Sequence, residues 1–251
     1  MEPNPLRLFC DCIAKPFMYA YYLAGRVIDR ADIVVHTYTR KKQIRDYCAA
    51  YVVRKLHIGC GKNILPGWLN SDVDLEDGKV FIDATARLPF HDGTVDYIFS
   101  EHFIEHLSYD DGMRFLKECY RVLRPGGRVR IATPDLQFLV DLYSDHLADL
   151  QKSYIHSVNK KLVPHIDGSL RNSSVFTINN FFFKLCHNFI YDFALLRDTM
   201  TFVGYRDITR YAPGESADIN LQGIEKHGQA ISDEFNDLET FVVEGIKPSE
   251  T

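Results

Sequence analysis

The sequence predicts an α/β domain built on a largely parallel sheet, and three observations carry that expectation. Between residues 52 and 135, short β-rich runs alternate with turn signals and one well-marked helix. The first run enters a glycine turn directly, Leu56-His57-Ile58-Gly59-Cys60-Gly61-Lys62. The next two runs end in acids, Asp72 and Asp83, at the sheet edge where open parallel sheets bind ligands.

A chain of 251 residues is long enough for one such domain with additions. Its net charge of −5 argues against the basic face of a dedicated nucleic-acid binder, so none is expected as a partner. The six cysteines form no CxxC pair, and neither zinc-site spacing nor a disulfide framework is expected. A reducing cytoplasm and no metal are the simplest reading.

Residues 1–51 read as a helical extension, with Arg40, Lys41, Lys42, Arg45 and Asp46 on a solvated face. The uncharged run 16–25 falls short of the roughly 20 residues needed to span a bilayer. Its aromatic cluster (Phe17, Tyr19, Tyr21, Tyr22) allows peripheral membrane contact, but a helix packed on the domain or on a second copy is the favoured reading.

The remainder, 52–251, reads as the main domain. Strands are expected at 55–58, 68–71, 80–82, 95–99 and 128–132. Ser108 and Asp111 form a capping box for a helix carrying Met113, Leu116, Tyr120 and Leu123, which Pro125-Gly126-Gly127 stops. Residues 136–203 are expected to be a helical lid region. Within it, Leu136 opens one helix, 179–187 forms a second around Phe181-Phe182-Phe183, and Asp192 caps a third ending near Gly204. The stretch 151–180 is polar and poorly periodic, and reads as a mobile loop. Strands at 207–211 and 240–246 close the chain, joined by a long polar connection.

Glycines at 59 and 61 permit a tight turn and close approach of a ligand. A dinucleotide fingerprint requires another glycine at position 64, which is Ile, and Pro66-Gly67 breaks any helix aimed at a pyrophosphate. Asp72, ahead of Asp74, is placed to accept from ribose hydroxyls, and Asp83 from an adenine amino group. Each acid alone is as well explained as a turn-former. Together they read as an adenosine site without a phosphate cradle.

Residues 56–135 resemble the class I S-adenosylmethionine-dependent methyltransferases, in a subgroup reading LHxGCG, GWxNxD, LPFxDxxxDxI, HxxEHL and RVLxPGGxxRI. The matching residues are Leu56–Gly61, Gly67–Asp72, Leu88–Ile98, His102–Leu107 and Arg121–Ile131. His187 through Asp192, Phe202 to Tyr205 and Phe241 to Glu244 look similar to the same subgroup. The resemblance implies a Rossmann-like, seven-stranded, mostly parallel sheet with helices on both faces and an antiparallel last strand at 240–246. It implies S-adenosyl-L-methionine as cofactor. Gly59, Cys60 and Gly61 would lie under its methionine part, Asp72 (with Asp74 nearby) at the ribose, Asp83 and Ala84 at the adenine edge, and Ser100, Glu101 and His102 beside the sulfonium.

Two departures stand out. His57 occupies a position where many relatives carry an acid, and Asp72 follows Gly61 by only eleven residues, leaving the usual first helix reduced to a turn.

Methyl transfer to a hydroxyl or amine needs a positioned base. His102 is the first candidate. His106, next to Glu105, and His187, in the aromatic segment, are equally suited to structural hydrogen bonds or packing. The leading expectation is O-methyl transfer to a small-molecule or glycan acceptor. The alternatives are a protein or nucleic-acid methyltransferase, for which Ser100-Glu101-His102-Phe103 lacks the D/N-PPY pattern of amino-group transfer, and a non-catalytic adenosylmethionine-binding protein.

Overall fold

The computed structural model describes residues 30–74 and 78–249; the aromatic cluster at 17–22 lies outside them. Contacts divide the chain into two compact units, Met1–Arg45 and Asp46–Thr251. Helix α1 (Arg30–Ala50) crosses that boundary. Among the described residues no helix is long and apolar enough to cross a membrane.

The second unit holds a seven-stranded sheet in the order β3-β2-β1-β4-β5-β7-β6. Its strands are β1 (Lys55–Ile58), β2 (Leu69–Asp72), β3 (Val80–Phe81), β4 (Val95–Glu101), β5 (Leu123–Pro134), β6 (Arg206–Tyr211) and β7 (Thr240–Ile246). The first five pair in parallel, and β7 runs antiparallel to both β5 and β6. Leu56 sits between Leu69 and Ile98 in register, so β1 is the point from which the chain winds in both directions. Ligands bind beyond the carboxyl ends of strands at such a point. The strand expected at 68–71 is shifted by one residue, because the Trp68 amide turns back to the Leu65 carbonyl at 3.2 Å.

Helix α2 (Tyr109–Val122) starts where its cap predicts. Ser108 accepts from the Asp111 amide and donates to its carboxylate at 2.6 Å, which is half of a reciprocal box. The buried face is Gly112, Phe115, Leu116, Cys119 and Val122 rather than one centred on Met113 and Tyr120, which are only half-buried. Phe115 and Cys119 fill the core against the sheet, and the longer side chains lie at the margin.

The region after β5 departs most from expectation. Leu136 opens only a short helix, α3 (Leu136–Asp141), and the polar stretch expected as a loop forms α4 (Asp149–Leu162), a 3₁₀ turn (Gly168–Asn172) and α5 (Ser174–Phe183). The reason is a polar residue used inside. Asn159 is fully buried; its amide donates to the Arg171 and Ser173 carbonyls, and its oxygen accepts from Thr177. Tyr154, Ile155 and Phe181 pack with Phe138, Leu139, Leu142 and Ile190 into one apolar cluster. Helix α6 (Phe193–Val203) begins at Asp192, which accepts from the Leu195 amide at 2.7 Å, and ends on Gly204. Two short helices, α7 (Gly228–Ile231) and α8 (Asp233–Glu239), lead into β7.

Arg130 of β5 is fully buried. It donates to Glu225 at 2.6 Å, to Glu244 of β7 at 2.5 Å and to the Glu215 carbonyl at 2.8 Å, tying the long polar connection to the sheet. Removing one member of such a group leaves uncompensated charge in the interior. Arg130→Ala is therefore expected to lower stability by about 3–5 kcal/mol in urea denaturation. A loss within experimental error of zero would show that the buried charges do not depend on it.

Candidate functional site

The site starts at the turn after β1. Gly59 and Gly61 both have positive φ, +64° and +50°. A Cβ on Gly59 would lie 2.5 Å from the Phe103 ring, so packing as well as backbone conformation requires glycine there. Around Gly61 nothing stands within 4 Å of that position, leaving its surface open to a ligand. The Gly61 amide donates to Asp72 Oδ2 at 2.8 Å and the Asp74 amide to Oδ1 at 2.9 Å, so the carboxylate at the end of β2 is oriented against the glycine turn. After β3, Asp83 Oδ1 accepts from the Thr85 amide and hydroxyl, forming an Asx turn beside buried Ala84.

No helix intervenes between β1 and β2. The connection is held by Asn70, whose amide donates to the Leu65 and Trp68 carbonyls and whose oxygen accepts from the Leu65 amide. The same oxygen lies 3.2 Å from Nδ1 of His57, which is fully buried with its ring 4.8 Å from that of Phe99. Burial pushes His57 down to about 4, against the opposing pull of Asn70 and Asp72, so it is a neutral packing residue near pH 7. Tyr47 at the end of α1 braces this loop, bonding the Lys55 backbone and reaching the Gly67 carbonyl at 3.0 Å. Cys60 is buried, and burial raises its thiol to about 12, which leaves it unreactive.

At the end of β4, Ser100 is fully buried and its hydroxyl has no hydrogen-bond partner. The Glu101 carboxylate accepts from the Lys226 and His227 amides and from Asn63, and so anchors the long connection rather than facing open space. His102 follows with φ +47°, an uncommon conformation for a residue with a Cβ. Its Nε2 lies 3.1 Å from Thr240 Oγ1 and its Nδ1 3.3 Å from Glu105 Oε1, and its ring stacks on His227 at 3.7 Å.

Burial works against charge on His102, but the Glu105 carboxylate, helped by Glu239 and Glu101, outweighs it and raises the pKa above the usual histidine value. Glu105 is fully buried as well. Desolvation alone would raise it, yet the contact with His102 and the nearby His106 and His187 bring it to about 2. His227 in turn lies 2.9 Å from Glu239, which also receives the hydroxyl of Tyr154. His106 has Nδ1 3.2 Å from the Cys186 carbonyl, and its ring centroid is 4.9 Å from that of His187. Burial lowers His187 to about 4.

The structure thus brings Gly61 to Asp72, His102 to Glu105, and His106 to His187. Asn63, Asn70, Thr133, His227 and Glu239 escape sequence reasoning. They join the site from up to about 140 residues away, and no spacing rule connects them.

Residues 56–131 match the family described as Methyltransferase domain. The chain is 41% identical over 63 residues to a probable S-adenosylmethionine-dependent methyltransferase of Mycolicibacterium smegmatis, covering 25% of this chain and 22% of that protein. It is 34% identical over 76 residues to an uncharacterised 37.1 kDa protein from a transposon of Streptomyces fradiae, 30% of this chain and 21% of that one. The match therefore spans about a fifth of each curated relative. Among solved structures, a SAM-dependent methyltransferase from Archaeoglobus fulgidus aligns with 90% of this chain and 100% of its own, at 17% identity and a TM-score of 0.46.

The histidine shifts predict how stability follows pH. His57 and His187 are held neutral down to about 4, so between there and about 6.5 the unfolded chain binds more protons. Stability should rise with pH across that window, by up to about 1.4 kcal/mol per pH unit for each histidine. His102 acts on the other side: its contribution is complete below about 6.5 and is lost as pH rises through its raised folded value. Urea midpoints measured from pH 4 to 9 should pass through a maximum, and His187→Asn should flatten the acid limb. An acid limb unchanged by that substitution would contradict the assignment.

Proposed function

We propose that the chain carries a class I S-adenosylmethionine-dependent methyltransferase domain, in keeping with the match of residues 56–131 to a methyltransferase domain, and that it transfers a methyl group to a hydroxyl of a small-molecule or glycan acceptor, with His102 as general base. The observation that carries this reading is His102 at the end of β4, backed at Nδ1 by buried Glu105 and resting at Nε2 on the Thr240 hydroxyl.

The residues fit the cofactor. The open face of Gly61 leaves room for its backbone, the oriented Asp72 carboxylate suits ribose hydroxyls, and the unpartnered Ser100 hydroxyl is a spare polar group at the end of β4. Gly59, Cys60 and Gly61 would take the methionine part and Asp83-Ala84 the adenine edge. Asp74 lends its amide to Asp72, and Glu101 positions the 226–227 backbone. When bound, S-adenosylmethionine supplies a methyl already activated on a sulfonium.

With the acceptor hydroxyl replacing that of Thr240 at Nε2, His102 accepts its proton there, and the Glu105 carboxylate stabilises the resulting imidazolium through Nδ1. Stacked on His227 and bound at Nδ1 to Glu105, the ring has little freedom to leave this orientation. His106 and His187 lie near Glu105 and, with His102, favour its ionised form. A 410 Å³ groove between α3 and α5, lined by Leu136, Val140, Tyr143, Ile178 and Phe182, opens where α3 leaves β5.

Asp72→Ala should weaken S-adenosylhomocysteine binding by about 1.5–3 kcal/mol, with Asp74→Ala milder, both read by calorimetry. His102→Gln should keep cofactor affinity and lose roughly 10²–10⁴-fold in kcat on a hydroxyl acceptor found by screening with methyl-labelled cofactor. Since the base must be neutral, wild-type kcat should climb as pH rises above about 6.5. Full activity in His102→Gln would remove the base from the account.

A further inference from the structure

Beyond the dyad, Glu105 is shared with a second group. One donor atom each from Glu105, His106 and His187 lies within 4.8 Å of the other two. Two of the three residues are inside the protein: Glu105 is 0% exposed and His187 6%. Glu105 Oε1 and His187 Nδ1 are buried atoms with no hydrogen-bond partner, although a protein interior rarely leaves such atoms unmatched. The first has only the 3.3 Å approach of His102 beside it, which uses one of its two lone pairs.

The surroundings have the form of a ligand cage. His106 points Nδ1 at the Cys186 carbonyl at 3.2 Å, the bond that fixes a metal-binding imidazole and frees Nε2. Thr133 donates to Glu105 Oε2 at 3.0 Å and leaves Oε1 for another partner. The segment carrying His187 is clamped to the turn carrying His106: the Asn188 and Phe189 amides donate to the Glu105 carbonyl, and the Asn188 side chain donates to the His106 carbonyl. Half-exposed His106 provides the way in.

We propose that Glu105, His106 and His187 form a binding site for a divalent transition cation of the zinc type. Two imidazoles and one carboxylate are a donor set that zinc accepts, at about 2.0–2.2 Å per ligand, with a further position left for water or an acceptor oxygen. The site stands apart from the glycine turn and does not depend on the cofactor reading.

The test uses the full chain, stripped with a chelator and without cofactor. Equilibrium dialysis against Zn²⁺ should show stoichiometric uptake, and Co²⁺ should give the visible absorption of nitrogen and oxygen ligands in a low-coordinate site. His106→Ala and His187→Ala should each weaken uptake by more than roughly tenfold, while His156→Ala, at an exposed histidine outside the cluster, should not. Circular dichroism of the metal-free variants checks that they fold. If His187→Ala does not, His106→Ala decides, because its side chain is half-exposed. Uptake that is absent, or that persists in His106→Ala, overturns the proposal.

Discussion

The buried carboxylate of Glu105 is the constraint on which the carboxyl edge of the sheet depends. An ionised carboxylate inside a protein is costly unless its surroundings answer the charge. Here the answer comes from four directions: Thr133 at the end of β5, His102 after β4, His106 beside it and His187 from the segment before α6. The backbone of the same residue receives the Asn188 and Phe189 amides. One charge therefore gathers pieces of chain otherwise spread over about 80 residues. Removing it would release the turn that places His102 as well as leave a histidine unpaired.

A second device holds the opposite side of the site. With no helix between β1 and β2, the turn needs another source of rigidity, and Asn70 supplies it by satisfying three backbone groups of the 65–68 loop. His57 packs beneath that loop and spends its polarity on Asn70. A neutral ring there needs no water, where a buried charge would.

Sequence periodicity recovered what local chemistry controls. The strand at β1, the Ser108 and Asp192 caps, the Gly204 stop and the final strand β7 follow from residue types acting within a turn or two of themselves. The α4–α5 region was illegible because Asn159 and Thr177 look like surface residues and are buried against each other. The sequence also showed His102, Glu105 and His106 together, yet not that His187, His227 and Glu239 meet them. Long-range charge pairing leaves no periodic trace. Among the residues read as an adenosine site, that Gly61 and Asp72 share one sheet edge was legible because parallel strands bring successive strand ends side by side.

The central claim is that the glycine turn and the acids beyond it form an adenosyl site without a phosphate cradle. Isothermal titration of the full chain with S-adenosylhomocysteine, and separately with NAD, tests it most directly. Binding of S-adenosylhomocysteine should be saturable at one site, with no heat beyond dilution for NAD. Tight NAD binding together with silence toward S-adenosylhomocysteine would contradict it.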